Sequence, residues 1–416
     1  MSAAGTSEGR KLSKTLQRDQ LRRLSVLIAI AFVDMLGSAI VFPQVPLYAD
    51  RLHASPFMIG WIIAAFSIAQ LLSSTVWGRF SDHYGRRPAL LAGLLGAAMG
   101  FTIFGFANTV WLLFVSRLIQ GAGGGTTGVT QAYVTDTVTP GNRARALGWL
   151  SAATNLGVMI GPVIGSVTFH LGHQMPGLIA AALCLINAGF AWKWLPESRP
   201  AHPEGQPRPV RKPVWHAAWH VVQHPRGTVA RMIWIYAAGM LGLFAMTSSL
   251  ALYLNRVFGV DSRTIGYVFA YVGGLSVVMR LLLLGPIVER LGEPWTMRTG
   301  TILLTVGLFA YPLAHKLWVL APIMALVPIG TALLFPATTA LMSHASEKSE
   351  VGTTMGVAQT FAGVARVIAP LIATWAFQHV GLSAPFVIAG GIVALVGVLA
   401  FRLDLPDHGL REPEAA

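Results

Sequence analysis

The sequence predicts an all-α membrane protein with twelve transmembrane helices in two pseudo-symmetric six-helix bundles. Composition is the first reason: 54% of the 416 residues are hydrophobic, 11% are charged and the mean hydropathy is +0.60, whereas soluble domains carry about 25% charged residues. The second reason is segment length, since a helix needs roughly 20 apolar residues to cross the hydrocarbon. Twelve segments qualify: 24–49, 58–77, 88–107, 110–133, 146–170, 175–195, 230–256, 264–284, 295–313, 317–343, 352–376 and 383–402.

The third reason is an internal repeat. A Pro-rich basic stretch separates six segments from six, which predicts five regions: a cytoplasmic N-terminal tail 1–23, a bundle 24–195, a cytoplasmic linker 196–229, a bundle 230–402 and a cytoplasmic tail 403–416. The two halves share a spaced pattern, 207 residues apart: Gly78, Asp82 and Gly85 in the first, Gly285, Glu289 and Gly292 in the second. Pro162 and Pro370 are 208 residues apart. Two matches at nearly one offset indicate a duplicated unit.

The net charge of +13 follows a topological pattern. Lysines and arginines concentrate in the N-terminal tail, the 2/3 and 4/5 loops and the central linker, while the opposite loops hold only Arg51, Arg256, Arg263 and Lys316. This positive-inside pattern predicts that both termini are cytoplasmic. The basic excess indicates contact with anionic membrane lipid and argues against nucleic acid as a partner.

Asp34 lies in the middle of the first apolar segment, and the sequence places no other carboxylate so clearly at membrane depth. An ionised carboxylate in hydrocarbon costs at least ~2.5–3.5 kcal/mol. Such a group faces a wet cavity, carries a proton or meets a cation, which indicates transport. Arg117 in segment 4, with Gln120 one turn on, is the expected counter-ion. The alternatives are a purely structural Asp34–Arg117 pair, or an Arg117 packed against carbonyls.

The stretch GRFSDHYGRRP begins at Gly78 and is predicted to lie on the 2/3 loop. Gly78 and Gly85 permit tight turns and close helix approach, and Asp82 can accept hydrogen bonds from Arg86. An ordinary basic loop is the alternative, which the long specific spacing disfavours. The stretch resembles the signature loop of the major facilitator superfamily. The resemblance implies that Asp82, Arg86 and Asp136 form a cytoplasmic gate that locks the two halves in the outward-open state.

In the second-half copy of this loop, Glu289 replaces the aspartate and Glu293-Pro294 replaces the basic pair. No equivalent gate is therefore expected in the second half. The resemblance to the family nevertheless extends over almost the whole chain, about residues 24–402.

Two further motifs narrow the resemblance. Segment 5 carries a helix-packing motif, formed by Gly157, Gly161, Pro162 and Gly165. It resembles the motif typical of the family's antiporters, where it seals a contact between the halves; generic helix packing is the alternative. In segment 1, Asp34-x2-Gly37 followed by Pro43-x2-Pro46 resembles the first-helix motif of twelve-helix drug:proton antiporters, tetracycline exporters included. In that group the matching acid is implicated in coupling.

The candidate substrate-cavity residues are polar, aromatic or methionine side chains inside apolar segments: Gln120, Gln131, Asn155, Trp234, Tyr236, Met240, Phe244, Gln359 and Arg366. They indicate a large, mostly apolar pocket for an amphipathic compound. Arg366 either recognises an anion or braces its helix, and Arg280 is expected to snorkel. The sequence shows no metal-ligand spacing and no catalytic signature, so neither a metal, a cofactor nor an enzyme is expected.

The sequence therefore predicts a proton-coupled antiporter that exports small amphipathic compounds, multidrug or tetracycline-like ones included, by alternating access. Asp34 and Arg117 are the expected proton-coupling residues. The alternative is an exporter of a metabolite, sugar or lipid-like molecule on the same fold. A non-transporting receptor and a membrane-embedded enzyme are the alternatives from other classes. The expected partners are a small-molecule substrate, protons and membrane lipid, and we expect a monomer in the bacterial inner membrane.

Overall fold

The computed structural model describes residues 4–198, 214–347 and 350–402, and in this part of the chain the regular elements are all helical. Fifteen α-helices are α1 Ala4–Val41, α2 Gln44–Arg51, α3 Pro56–Tyr84, α4 Arg86–Gly105, α5 Val110–Gly124, α6 Thr127–Thr137, α7 Arg143–Phe169, α8 Met175–Trp194, α9 Val214–Gln223, α10 Thr228–Phe258, α11 Ile265–Val278, α12 Leu284–Ala310, α13 Leu317–Ala345, α14 Val351–His379 and α15 Ala384–Phe401. The π-helical segment Met279–Leu283 joins α11 to α12. The all-α membrane fold is confirmed.

Ten described helical stretches are long and apolar enough to cross a membrane, against twelve predicted segments. Segment 4 is divided, because Gly125 and Thr126 have ψ angles of −5° and −3° and separate α5 from α6, each too short by itself. Segments 8 and 9 instead form one stretch, Ile265–Leu313, which turns at Gly292. The difference therefore comes from one interrupted helix and one merged pair.

The contacts divide the chain into two units that nearly follow the two predicted bundles. Unit 1 comprises Met1–Phe42 and Ile68–Gln206, and unit 2 comprises Pro43–Ser67 and Pro207–Ala416. The segment 43–67 packs within unit 2: the backbone N–H of Phe57 donates to Oε1 of Gln378 at 3.0 Å, and Asp50 pairs with Arg256 at 3.0 Å. The predicted domain boundaries stay a prediction. Within the linker 196–229, residues 199–213 lie outside the described residues, and α9 follows them.

The same close helix crossing occurs once in each unit. In unit 1, α4 meets α5 so closely that a methyl group on Gly123 would lie 2.7 Å from the carbonyl oxygen of Gly93. In unit 2, α12 meets α13, and a methyl group on Gly330 would lie 2.8 Å from the carbonyl oxygen of Gly300. The second pair follows the first by 207 residues. Because small residues let helix backbones approach, this shared crossing supports the predicted duplication.

We predict that Gly123→Ala and Gly330→Ala each lower the thermal stability of the purified protein. The added methyl group overpacks the crossing, at a cost of about 1–3 kcal/mol. Gly128→Ala is the matched control, since a methyl group on Gly128 in α6 meets open space and alanine is the better helix former. Melting followed by tryptophan fluorescence in detergent measures the effect. Wild-type melting temperatures for both variants would contradict the close helix crossings at Gly123 and Gly330.

Candidate functional site

The predicted gate residues Asp82, Arg86 and Asp136 form one ion-paired cluster in unit 1. Nη1 of Arg86 lies 2.7 Å from Oδ1 of Asp82, and Nε of Arg86 lies 3.1 Å from Oδ2 of Asp136. Arg86 also donates to Oγ of Ser81 at 2.7 Å. The cluster ties the end of α3 and the end of α6 to the first residue of α4, as the motif predicts.

Glu197 completes this cluster, and the sequence reading missed it. Its Oε1 accepts the backbone N–H of Arg86 at 2.8 Å, and its Oε2 accepts that of Arg87 at 3.1 Å. These N–H groups have no acceptor within α4, because they lie at its N-terminus, where a negative charge is favourable. The sequence reading assigned Glu197 to the linker, and its 111-residue distance from Arg86 left no local signal.

The two motif glycines behave differently. Gly85 has φ +105°, which favours glycine, and forms the whole connection between α3 and α4. Gly78, in contrast, lies inside α3 with open space beside it. The expected turn or close contact at Gly78 is wrong, because α3 continues unbroken to Tyr84 and the chain reverses in a single residue.

Unit 2 contains a charge-reversed counterpart of this cluster. Oε2 of Glu293 lies 3.1 Å from Nδ1 of His344. Glu293 follows Arg86 by 207 residues, and His344 follows Asp136 by 208, so the acid and the base have exchanged places. The contact is ionic when His344 is protonated. The duplicated position thus keeps an acid–base contact even though its motif has lost the basic pair.

Asp34 lies midway along the apolar part of α1 and is half-buried. No described residue forms an ion pair or hydrogen bond with its carboxylate. On the next turn, Gly37 faces α8, where a methyl group on Gly37 would lie 3.6 Å from Sγ of Cys184. A partly exposed, unpaired carboxylate can gain and lose a proton without breaking a structural bond.

The glycines of the helix-packing motif all lie against α1 in the same unit. A methyl group on Gly157 would lie 2.8 Å from the carbonyl oxygen of Phe32, and one on Gly161 would lie 2.8 Å from that of Leu36. Gly165 similarly meets the carbonyl of Ile40. With 3.6 residues per turn, these contacts lie on the opposite side of α1 from Asp34. The motif therefore fixes the position and rotation of the helix that carries the acid.

Arg117 is buried, as predicted, but its observed hydrogen bond is local. Its Nη1 donates to Oε1 of Gln120 at 2.6 Å, and Nε2 of Gln120 donates to the carbonyl oxygen of Gly100 at 3.1 Å. No ion pair joins Arg117 to Asp34 in the described part of the chain. The expected direct counter-ion contact is thus absent here, since Gln120 links Arg117 to the α4 backbone instead.

The other cavity candidates fall into two groups. In unit 1, Gln131 is exposed and Asn155 is half-buried, while Gln120 is 1% exposed and belongs to the α4–α5 packing. In unit 2, Trp234 packs edge-on against Phe361 with ring centroids 5.1 Å apart. Met240, on the same helix, is half-buried. The break between α5 and α6 separates Gln120 from Gln131, which the sequence predicts in one segment, 110–133.

Four cavity candidates and Arg280 converge in unit 2. Nε2 of Gln359 donates to the Tyr236 hydroxyl at 3.3 Å, and the Arg366 guanidinium carbon lies 5.7 Å from the ring centroid of Phe244. Arg280 and Arg366 are both within electrostatic range of Tyr236. The expectation that Arg280 snorkels is wrong, because its Nε atom is buried and its charge interacts with Tyr236 of α10.

We predict that Gly85→Ala destabilises the protein more than Gly292→Ala. Both glycines have positive φ, +105° and +73°, so both variants incur backbone strain of about 1–3 kcal/mol. At Gly85 the methyl group would also lie 2.5 Å from Oε2 of Glu197, whereas at Gly292 its nearest neighbour is Pro294 Cδ at 3.7 Å. Melting temperatures measure the difference. In a protein that already carries Glu197→Ala, Gly85→Ala should cause only the backbone strain, because the clash with the Glu197 carboxylate is gone. Equal melting temperatures for Gly85→Ala and Gly292→Ala would refute the contact between Gly85 and Glu197.

Known proteins share this architecture. The chain is 28% identical over 391 residues to Multidrug resistance protein 1 of Bacillus subtilis (strain 168), covering 92% of this chain and 97% of the relative. It is 29% identical over 395 residues to the class C Tetracycline resistance protein of Escherichia coli, covering 92% and 95%. The solved structure of the nucleoside transporter NupG matches with a TM-score of 0.75 at 13% identity, covering 91% of this chain and 99% of that one, and shares the fold.

The sequence profile of the Major Facilitator Superfamily matches residues 27–284 and 281–416. That match spans nearly the whole chain, including both units and the gate cluster. The relatives are similar in length, and their names describe multidrug resistance and tetracycline resistance. This chain belongs to the major facilitator superfamily and is an integral membrane transporter of small molecules, not an enzyme.

Proposed function

We propose that this transporter is a proton-coupled antiporter that exports small amphipathic compounds. The observation that carries the proposal is Asp34: a half-buried carboxylate in the middle of an apolar helix, with no hydrogen bond or ion pair to a described residue. A structural carboxylate would be paired, because an uncompensated charge at this depth is costly. A carboxylate that exchanges a proton must stay free to do so.

Protonation changes the energy of this site in a defined direction. Neutral Asp34 has a lower cost of burial than charged Asp34, so proton binding favours the conformation in which the site is sealed from water. Proton release then restores a charge that favours an open, wet site. Coupling follows if the substrate binds the deprotonated form better, so that each proton moving inward is exchanged for substrate moving outward.

Arg117 is the second proposed coupling residue. Its bond to Gln120 and the bond from Gln120 to Gly100 hold a positive charge inside unit 1. Without direct contact, this charge favours ionised Asp34 through the field of a low-dielectric interior. The glycine motif on α7 maintains the geometry, since Gly157, Gly161, Pro162 and Gly165 belong to the helix packed behind Asp34.

The cluster of Gly78, Asp82, Gly85, Arg86 and Asp136 is the proposed cytoplasmic gate. Its ion pairs are partly exposed, so each contributes only about 0–1 kcal/mol. Interactions of this size can form and break during a transport cycle. The charge-reversed contact of Glu293 with His344 is the proposed counterpart in unit 2.

The proposed substrate-contacting residues are Gln131 and Asn155 in unit 1 and, within unit 2, Trp234, Tyr236, Met240, Phe244, Gln359 and Arg366. Gln120 binds Arg117 instead. The aromatic and methionine content of the proposed residues suits amphipathic compounds. The multidrug and tetracycline resistance names of two relatives support drug-like substrates. The cluster of polar groups around Tyr236 favours the second candidate, an exporter of one specific metabolite.

The proposed orientation has both termini in the cytoplasm of a bacterium, with the chain acting as a monomer in the inner membrane. A pocket of about 340 Å³ in unit 1 supports it, lined by Arg22, Arg23, Arg87, Trp192, Lys193, Trp194, Leu195 and Pro196. Four cations beside two tryptophans are typical of the membrane interface, where anionic lipid headgroups attract basic residues.

We predict that Asp34→Asn abolishes transport driven by a pH gradient, with at least a tenfold loss of initial rate, because asparagine cannot exchange a proton. Proteoliposomes with an imposed pH gradient and tetracycline or ethidium as substrate measure the rate. Glu347→Gln, which neutralises an exposed acid between α13 and α14, is the control and should keep the wild-type rate. Full pH-driven transport by Asp34→Asn would refute the coupling assignment.

We also predict that Arg86→Gln lowers the transport rate several-fold while changing stability little. The substitution removes both ion pairs of the gate cluster, which are partly exposed and therefore weak. The matched control is Arg79→Gln, which changes an exposed arginine near the end of the preceding helix α3. Parallel measurement of transport rate and melting temperature separates the two effects. A wild-type rate for Arg86→Gln would argue against a gate.

A further inference from the structure

Two arginines of unit 2 lie deep in the apolar helices without a hydrogen bond or ion pair to a described residue. Arg366 is central in α14, and Arg280 lies in the π-helical segment Met279–Leu283. The Nε atoms of both are buried and make no hydrogen bond. Neither guanidinium forms an ion pair or hydrogen bond with any described residue. Both side chains remain partly exposed, so their remaining N–H groups are open to a ligand.

No acid of unit 2 neutralises these charges. The described carboxylates of unit 2 are Asp50, Asp261, Glu289, Glu293, Glu347 and Glu350. All lie in connections or within one turn of a helix end or of the Gly292 turn. Because a buried charge without a partner is costly, a pair of cations kept in such a place indicates that a negative charge arrives from outside the chain.

The surroundings add hydrogen-bonding and apolar groups to the two charges. Tyr236, which interacts electrostatically with both arginines, accepts a hydrogen bond from Gln359 at 3.3 Å, leaving its own O–H available as a donor. The Phe244 ring lies 5.7 Å from the Arg366 guanidinium. The π-helical segment is a rare element that is frequent at functional sites, and Arg280 lies within it.

We propose that Arg280, Arg366 and Tyr236 bind the anionic group of the transported compound, which makes the substrate an amphipathic organic anion such as an aromatic carboxylate. Arginine presents paired N–H donors that match the two oxygens of a carboxylate. The phenol of Tyr236 donates a further hydrogen bond, and Phe244 contacts the apolar part. This inference rests on the proposed function and narrows its substrate class.

The experiment compares two probes of equal shape and different charge: radiolabelled naphthylacetate and its neutral amide, naphthylacetamide. Equilibrium binding is measured to the full-length protein in nanodiscs, without a pH gradient. The carboxylate should bind at least tenfold more tightly than the amide. Arg280→Gln and Arg366→Gln should each weaken carboxylate binding at least tenfold and leave amide binding unchanged. Arg256→Gln, which removes a helix-end charge paired with Asp50, is the control and should bind both probes as wild type does.

A second measurement needs no ligand. If the charges of the two arginines are uncompensated until an anion binds, replacing either arginine with an apolar side chain of similar length removes an unfavourable charge. Arg280→Met and Arg366→Met should therefore melt at the wild-type temperature or higher. A lower melting temperature would show that the arginines brace the helices and would overturn the proposal.

The binding result is equally decisive. Carboxylate binding no tighter than amide binding, including no binding of either probe, overturns the proposed anion site. So does wild-type carboxylate affinity in both glutamine variants. Because binding at equilibrium requires no proton movement, failure of the Asp34 coupling assignment would leave these outcomes unchanged, and the two proposals are tested separately.

Discussion

The cost of a charge at membrane depth is the constraint on which this structure depends. An acid in the middle of the apolar part of α1 is expensive in hydrocarbon, and no described residue of unit 1 neutralises it with an ion pair. Instead, the glycines of α7 hold α1 by close backbone contact on the side opposite Asp34. Rigid packing behind the acid and partial exposure in front of it let the carboxylate change its charge while the helix stays in place.

The duplicated units have diverged in how they carry charge. Unit 1 contains an acid, and unit 2 contains two arginines, that form no hydrogen bond or ion pair with a described residue. The contact of Arg86 with Asp136 in unit 1 corresponds to the contact of Glu293 with His344 in unit 2, with the acid and the base exchanged. The backbone crossings are nevertheless kept at an offset of 207 residues. Duplication thus gives two units with the same helix packing, and each unit can take a separate role. In our proposals, unit 1 exchanges protons and unit 2 binds the anionic group of the substrate.

The features that depend on residues close together in the sequence could be predicted from it. The spans follow from apolar length, and the contact of Asp82 with Arg86 follows from their four-residue separation across the turn between α3 and α4. Long-range partners could not be read in this way. Glu197 reaches Arg86 across 111 residues, Arg117 bonds to Gln120 in place of Asp34, and segment 43–67 packs in unit 2. Arg280 was misassigned because one-residue π insertions leave no periodic signal.

The central claim is that Asp34 binds and releases a proton while the protein stays folded. Infrared difference spectroscopy of the full-length protein in lipid tests it most directly, since a protonated carboxyl group has a C=O stretch distinct from that of a carboxylate. The account predicts a carboxylic acid band that appears reversibly on acidification, is missing in Asp34→Asn and shrinks when substrate is added. A spectrum in which Asp34→Asn removes no titrating band would contradict it.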